Sequence, residues 1–213
     1  MTDGGRPSDA TVAFRQARDY LLAHREDYDT AYRDFRWPQL DTFNYATDWF
    51  DVLAAEHPDT TGLWVVEEDG SDTRLTFAEL SLGSQRLAGF LDAAGIQRGD
   101  RVLLVLGNCA PLWVAMLACI RLGAVMIPAT TLLTAADLRD RVERGEAKAV
   151  VAAAADAERF GPETERLVRV SVGAADGWLS YEDAVSEAST ALPGGGTAAA
   201  DPMLLYFTSG TTA

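Results

Sequence analysis

The chain has 213 residues, 48% of them hydrophobic, and a formal net charge of −14. That length allows one domain, or one and a fraction, and the apolar share is enough for a packed core. The acidic balance excludes a nucleic-acid or anionic-membrane partner, which needs a basic footprint, but not a small anion held by backbone amides.

The first ten residues carry Asp3, Arg6 and Asp9 and no apolar h-region, so no secretory signal is read there. A helix follows in which Phe14, Ala17 and Leu21 share a face, with Ser8 or Asp9 able to cap it, and Pro38 closes this arm. The next helix is predicted to start at Thr47 and to turn Phe50, Leu53 and Ala54 to one side. Leu63 to Glu68 is a β-branched run that "DGSD" (69–72) turns back into "TRLTF", which predicts a hairpin. Its acidic tip reads as a solvated turn. Thr76 and Glu79 form a capping box for a long helix with Phe77, Leu80, Leu87, Leu91 and Ala94 on its buried face, ended by Gly95.

The stretch from Arg101 onward changes character. "RVLLVL" (101–106) is apolar on both faces, as a central parallel strand must be. Asn108 is placed to cap a helix with Pro111 in its first turn, running to about Leu122. Gly123 breaks that helix and "AVMIP" gives a second strand. Thr134 starts another helix, Gly145 stops it, and "AKAVVAA" is a third strand. The pattern is a βαβαβ unit, so the fold class is α/β with a parallel sheet flanked by helices and right-handed crossovers. "ERLVRVSV" adds a further strand and "SYEDAVSEAS" a short helix capped by Ser180. "ALPGGGTAAA" (191–200) is a loop, and Asp201-Pro202 introduces the strand "MLLYF".

That last strand delivers Thr208, Ser209, Gly210, Thr211 and Thr212. Gly210 allows the backbone to bend and to turn successive N–H groups toward one point, and the hydroxyls add uncharged donors. Such a concave donor set fits a polyphosphate. It is not a Walker A loop, and no G-x-G-x-x-G occurs. Taken singly, a Ser/Thr/Gly cluster of this kind reads equally as a polar turn after a core strand.

"DPMLLYFTSGTTA" (201–213) closely resembles the phosphate-loop motif of the adenylate-forming superfamily, the AMP-binding enzymes that include acyl-CoA synthetases, luciferases and peptide-synthetase adenylation domains. The run from "LTFAEL" (75–80) through "AKAVV" (147–151) resembles the early core motifs of that superfamily, in order and with similar spacing. "FNYATDWFD" (43–51) is similar to a segment of medium-chain acyl-CoA synthetases and their acetyl-CoA synthetase relatives. The resemblance covers about residues 40–213. It implies a helical arm over 1–42 and, over 43–213, the incomplete first part of the large AMP-binding domain of the adenylate-forming fold.

It also implies a chemistry: a carboxylic acid, MgATP and coenzyme A give acyl-CoA, AMP and pyrophosphate through an acyl-adenylate. Thr208, Ser209, Gly210, Thr211 and Thr212 would grip the ATP phosphates, and Ala213 stands where the family most often has glycine. No catalytic residue and no metal ligand is assigned within these residues. The Mg2+ ligand, the motif lysine and most of the acyl pocket would lie in later segments, so the 213 residues alone are expected to be an inactive part of a longer ligase of fatty-acid type metabolism. The alternative is a short interaction domain that self-associates through an exposed sheet edge.

The other chemistry-bearing residues read as structure. Cys109 and Cys119 are expected to be buried free thiols, His24 and His57 ordinary surface residues, and Trp113, Met116 and Leu117 core. Thr130 and Thr131 end a strand where ligands of open α/β sheets gather. With no membrane span and no disulfide framework, the expected location is cytoplasmic.

Overall fold

The computed structural model describes residues 7–190 and 196–208. The chain opens with helices α1 (Asp9–Ala23) and α2 (Tyr28–Asp34). Ser8 caps α1 by accepting from the Thr11 amide, and Asp27 caps α2 by accepting from Thr30. The arm is therefore two short helices rather than one, because the Asp27 cap restarts the chain after His24. The following helix does not begin at Thr47. It begins with a π-helical turn (Tyr45–Phe50) that continues as α3 (Asp51–Glu56). Asn44 is the cap: its Oδ1 accepts from the amides of Ala46 and Thr47, while its Nδ2 donates to Ile120 O at 2.7 Å. An amide side chain can cap one helix and bond the end of another, which a threonine hydroxyl could not reach to do.

The hairpin forms as the β-branched run and its turn predict, from β1 (Thr61–Val66) and β2 (Asp72–Thr76). Helix α4 (Phe77–Ala93) carries the full Thr76–Glu79 capping box, and Gly95 takes the left-handed φ of +94° that ends it.

Among the described residues, five parallel strands make the main sheet. They are β3 (Arg101–Val105), β4 (Val125–Ala129), β5 (Ala147–Ala153), β6 (Val168–Val172) and the two-residue β7 (Leu179–Ser180), in the order β4-β3-β5-β6-β7. Strand β7 has no signature in the sequence, since two residues carry no periodicity. Helices α5 (Ala110–Leu122), α6 (Ala135–Arg144) and α7 (Tyr181–Glu187) complete the set.

The sheet is buried on both faces, as its unbroken apolar strands require. Val102, Leu104, Met126 and Val151 pack with α4, α5 and α7 on one face. Leu103, Val105, Ile127 and Val150 pack with Leu138 and Val142 of α6 on the other. Alternate residues of each strand thus serve opposite layers.

Three local expectations fail for identifiable reasons. Asn108 does not cap α5. Cys109 occupies the cap position without a side-chain bond, and Asn108 Oδ1 instead accepts from the indole N–H of Trp113 at 3.1 Å. Trp113 is accordingly 41% exposed rather than core. Gly145 does end α6, as expected, in a right-handed conformation, with Glu146 following at a left-handed φ of +47°. Glycine is needed at 145 for space: a Cβ there would stand 2.5 Å from Arg141 O and 2.6 Å from Ile127 Cδ1. Finally, "MLLYF" is not a full strand. It makes one parallel bridge, Leu204 opposite Met126, in which the Met126 amide donates to Met203 O and the Leu205 amide to Met126 O.

The segment before that bridge is held to the N-terminal part. The Phe43 amide donates to Thr197 O, Thr197 Oγ1 donates to Phe43 O at 2.7 Å, and the Ala199 amide donates to Asp41 O. Arg98 and Asp201 add an ion pair at 2.6 Å.

Candidate functional site

The strand order contains one switch point. The chain leaves β3 through α5, on one face, to reach β4, and leaves β4 through α6, on the other face, to reach β5 on the far side of β3. The order thus reverses between β3 and β5, and ligands of open α/β sheets bind beyond the C-terminal ends of the strands near such a reversal. A cleft of about 380 Å³ lies one strand from it, beyond the C-terminal ends of β3 and β4. Leu104 and Leu106 line it from β3 and the loop beyond, Pro128 to Thr130 from β4, and Tyr206 and Phe207 from the terminal segment.

The bridge to Met126 fixes how the terminal segment enters. Leu204 lies opposite Met126 and runs parallel to β4, and Phe207, three residues on, lines the cleft with Pro128, Ala129 and Thr130. Thr208 and Thr130 are both exposed. The structure thus brings the segment that leads into Thr208 to this cleft. Ser209, Gly210, Thr211 and Thr212 lie outside the described residues. Thr131 is half-buried, and its carbonyl, with that of Leu133, accepts from Arg159 Nη1 at 2.8 and 2.6 Å, which ties down the loop after β4.

Residue-by-residue reading misses the cations at this end. Arg141, from α6, lines the cleft, and its guanidinium carbon lies 4.4 Å from the centre of the Phe207 ring; that of Arg144 lies 5.5 Å away. The signal is present in the sequence as two arginines three apart at the end of an amphipathic helix, next to its buried Leu138 and Val142. Among the described residues, no three His, Cys, Asp or Glu side chains gather into a metal-binding group.

The remaining candidates stand elsewhere. Cys119 is fully buried on α5, and burial pushes its thiol up to about 12; Cys109 is half-buried, and both are free. His24 Nδ1 lies 2.8 Å from Tyr20 O and its ring stacks on Tyr20, while His57 is exposed. Burial also raises Tyr45, which faces an apolar pocket of about 490 Å³ with Phe43, Ile120 and Met203 at the opposite end of β4.

Comparison with known proteins decides the family. The model of the family described as AMP-binding enzyme matches residues 50–213. The chain belongs to the AMP-binding enzymes. It is 36% identical over 182 residues to human acyl-coenzyme A synthetase ACSM5, mitochondrial, covering 80% of this chain and 31% of that protein. It is 31% identical over 219 residues to mouse acyl-coenzyme A synthetase ACSM3, mitochondrial, covering 97% of this chain and 38% of that protein. Among solved structures, the acyl-CoA synthetase of Brucella canis superposes with a TM-score of 0.77 at 25% identity, covering 87% of this chain and 36% of that one. The α/β fold of this AMP-binding chain is thus the one expected of the adenylate-forming enzymes. The chain spans about a third of the length of the curated relatives it matches.

One expectation is overturned. The curated relatives are mitochondrial by name, so the cytoplasmic location expected from the sequence does not stand. A charge of −14 does not discriminate between compartments. No helix among the described residues is long and apolar enough to cross a membrane.

Proposed function

We propose that this chain forms the first part of the large domain of an AMP-forming acyl-CoA synthetase and that the cleft beyond the C-terminal ends of β3 and β4 receives the phosphates of ATP. The observation that supports the reading is the parallel docking of Met203–Leu205 on Met126, which leads to Phe207 in the cleft just ahead of Thr208, in a chain of the AMP-binding family.

Thr208, Ser209, Gly210, Thr211 and Thr212 supply hydroxyl and backbone donors to the β- and γ-phosphates. Hydroxyls and amides suit this role because they carry no charge to be desolvated beforehand, yet converge on the charge that grows as pyrophosphate departs. In the reaction proposed, a substrate carboxylate oxygen bonds to the α-phosphorus while the bond to the pyrophosphate oxygen breaks. The coenzyme A sulfur then takes the acyl carbon and AMP leaves. Mg2+ would enter with the phosphates, and its protein ligand would lie in a later segment, as the family resemblance implies. The 213 residues cover about a third of the relatives' length, and in this reading they ligate nothing without the remainder of such an enzyme.

Titrating MgATP into the isotopically labelled chain while following the Thr208 amide tests the site. A saturable shift at millimolar nucleotide, with Leu179 and Ser180 at the far edge unmoved, is expected. No movement at Thr208 would show that this end of the cleft does not receive phosphate.

A further inference from the structure

The Thr208 end of the cleft is reached by a segment with little hold on the sheet. It makes two backbone bonds to Met126, and Met203 to Tyr206 are all exposed. Phe207 is the exception. Its ring is half-buried against the Ile127, Leu138 and Val142 side of the sheet, close above the glycine at 145. The outer face of the ring is covered by Arg141, with Arg144 further off. The Asp140 carboxylate accepts from both guanidinium groups, at 2.5 Å from Arg141 and 3.4 Å from Arg144, and so orients them over one ring.

The two arginines do not weigh equally. Arg144 is 70% exposed and its ring contact is longer, so water and salt weaken it, whereas Arg141 is 21% exposed and sits closer over the ring. From this geometry we infer that Arg141 is a positioning residue for the phosphate loop: stacked on Phe207 and steered by Asp140, it fixes the last side chain before Thr208 and thereby the point where the loop begins. Arg141 does not itself touch nucleotide in this reading. The inference rests on the phosphate site proposed above, but its first test does not need nucleotide.

Backbone order at Thr208 is measured by amide relaxation in the 213-residue chain and in the variants R141Q, R141K, R144Q and F207L. In R141Q and F207L the Thr208 order parameter is expected to fall below about 0.6, from a rigid value near 0.85, while Ile127 stays rigid. R144Q should leave Thr208 ordered, and R141K should behave like R141Q, because an ammonium lacks the planar stacking surface. In the gene product assayed for acid-dependent ATP–pyrophosphate exchange, R141Q should raise the KM for ATP about tenfold with the KM for the acid unchanged, and R141Q/F207L should be no worse than R141Q alone. An unchanged Thr208 order parameter in folded R141Q overturns the inference, as do effects of R141Q and F207L that simply add. If the unsubstituted protein neither binds ATP nor exchanges pyrophosphate, the proposed function fails while the relaxation result still decides what Arg141 does.

Discussion

Arg121 illustrates how much a single residue can hold together in this fold. Its side chain is 3% exposed on α5, it bonds both oxygens of Asp51 at 2.7 Å, and it also donates to Ser84 Oγ. Ser81 donates to the same carboxylate, so one ion pair joins α3, α4 and α5. Breaking a pair of this kind from one side leaves a buried charge, at a cost of about 3–5 kcal/mol. Asp51 is partly solvated, so D51A should fall near 3 kcal/mol in urea unfolding, and D51L/R121M should recover more than half of that loss. Nothing in the sequence singles out this pair, because Asp51 and Arg121 are 70 positions apart. Cys119 makes a second test at this scale. Burial raises its thiol from an ordinary 9.0 to about 12, so the unfolded chain gives up this proton first as pH rises. The stabilising preference for the neutral thiol is complete below pH 9 and is lost progressively toward pH 12. A C119A variant should therefore lose less stability than the unsubstituted chain across that window in thermal melts. Native alkylation at neutral pH should modify Cys109 well ahead of Cys119.

Among elements, those with both a period and a punctuation mark were legible. Helices α4 and α6 have a threonine cap with an acidic residue three positions on, and both capping boxes are formed. T134A should cost about 1 kcal/mol by denaturant titration, and T134S should restore most of it, since the bond needs only a hydroxyl. Strands β3 to β5 were readable because a strand covered on both faces has no polar alternation to hide it. Elements whose ends depend on distant partners were not. The start at Tyr45 follows from an asparagine bonded to the carbonyl of Ile120, and the single bridge of "MLLYF" follows from its position beside β4, an edge strand among the described residues. The candidate site divides in the same way: its hydroxyl run announces itself along the chain, whereas Arg141 becomes meaningful only once α6 is laid beside Phe207.

At the scale of the molecule, the side of β4 away from β3 is the exposed one. Met203, Leu204, Leu205 and Tyr206 are between 37% and 65% exposed along it. Exposed apolar residues on a lightly paired edge favour strand-to-strand association, and light scattering on the 213-residue chain should show mass rising with concentration. Lysine substitution at Leu204 should return it to a monomer. A strict monomer at the highest soluble concentration would remove the second reading of the sequence, a short self-associating domain.

The stitching of residues 41–43 to 197–199 carries a consequence for how the polypeptide is born. Its contacts close a loop of 154 positions, and closures of that span come late in folding. On a ribosome, strands β3 to β6 would have emerged and collapsed while Asp41 and Phe43 still waited for their partners. The sheet is then built first and the segment that leads to Thr208 last. A nascent chain arrested ahead of Thr197 should already resist proteases over its α/β core while Phe43 and its neighbours are still cut.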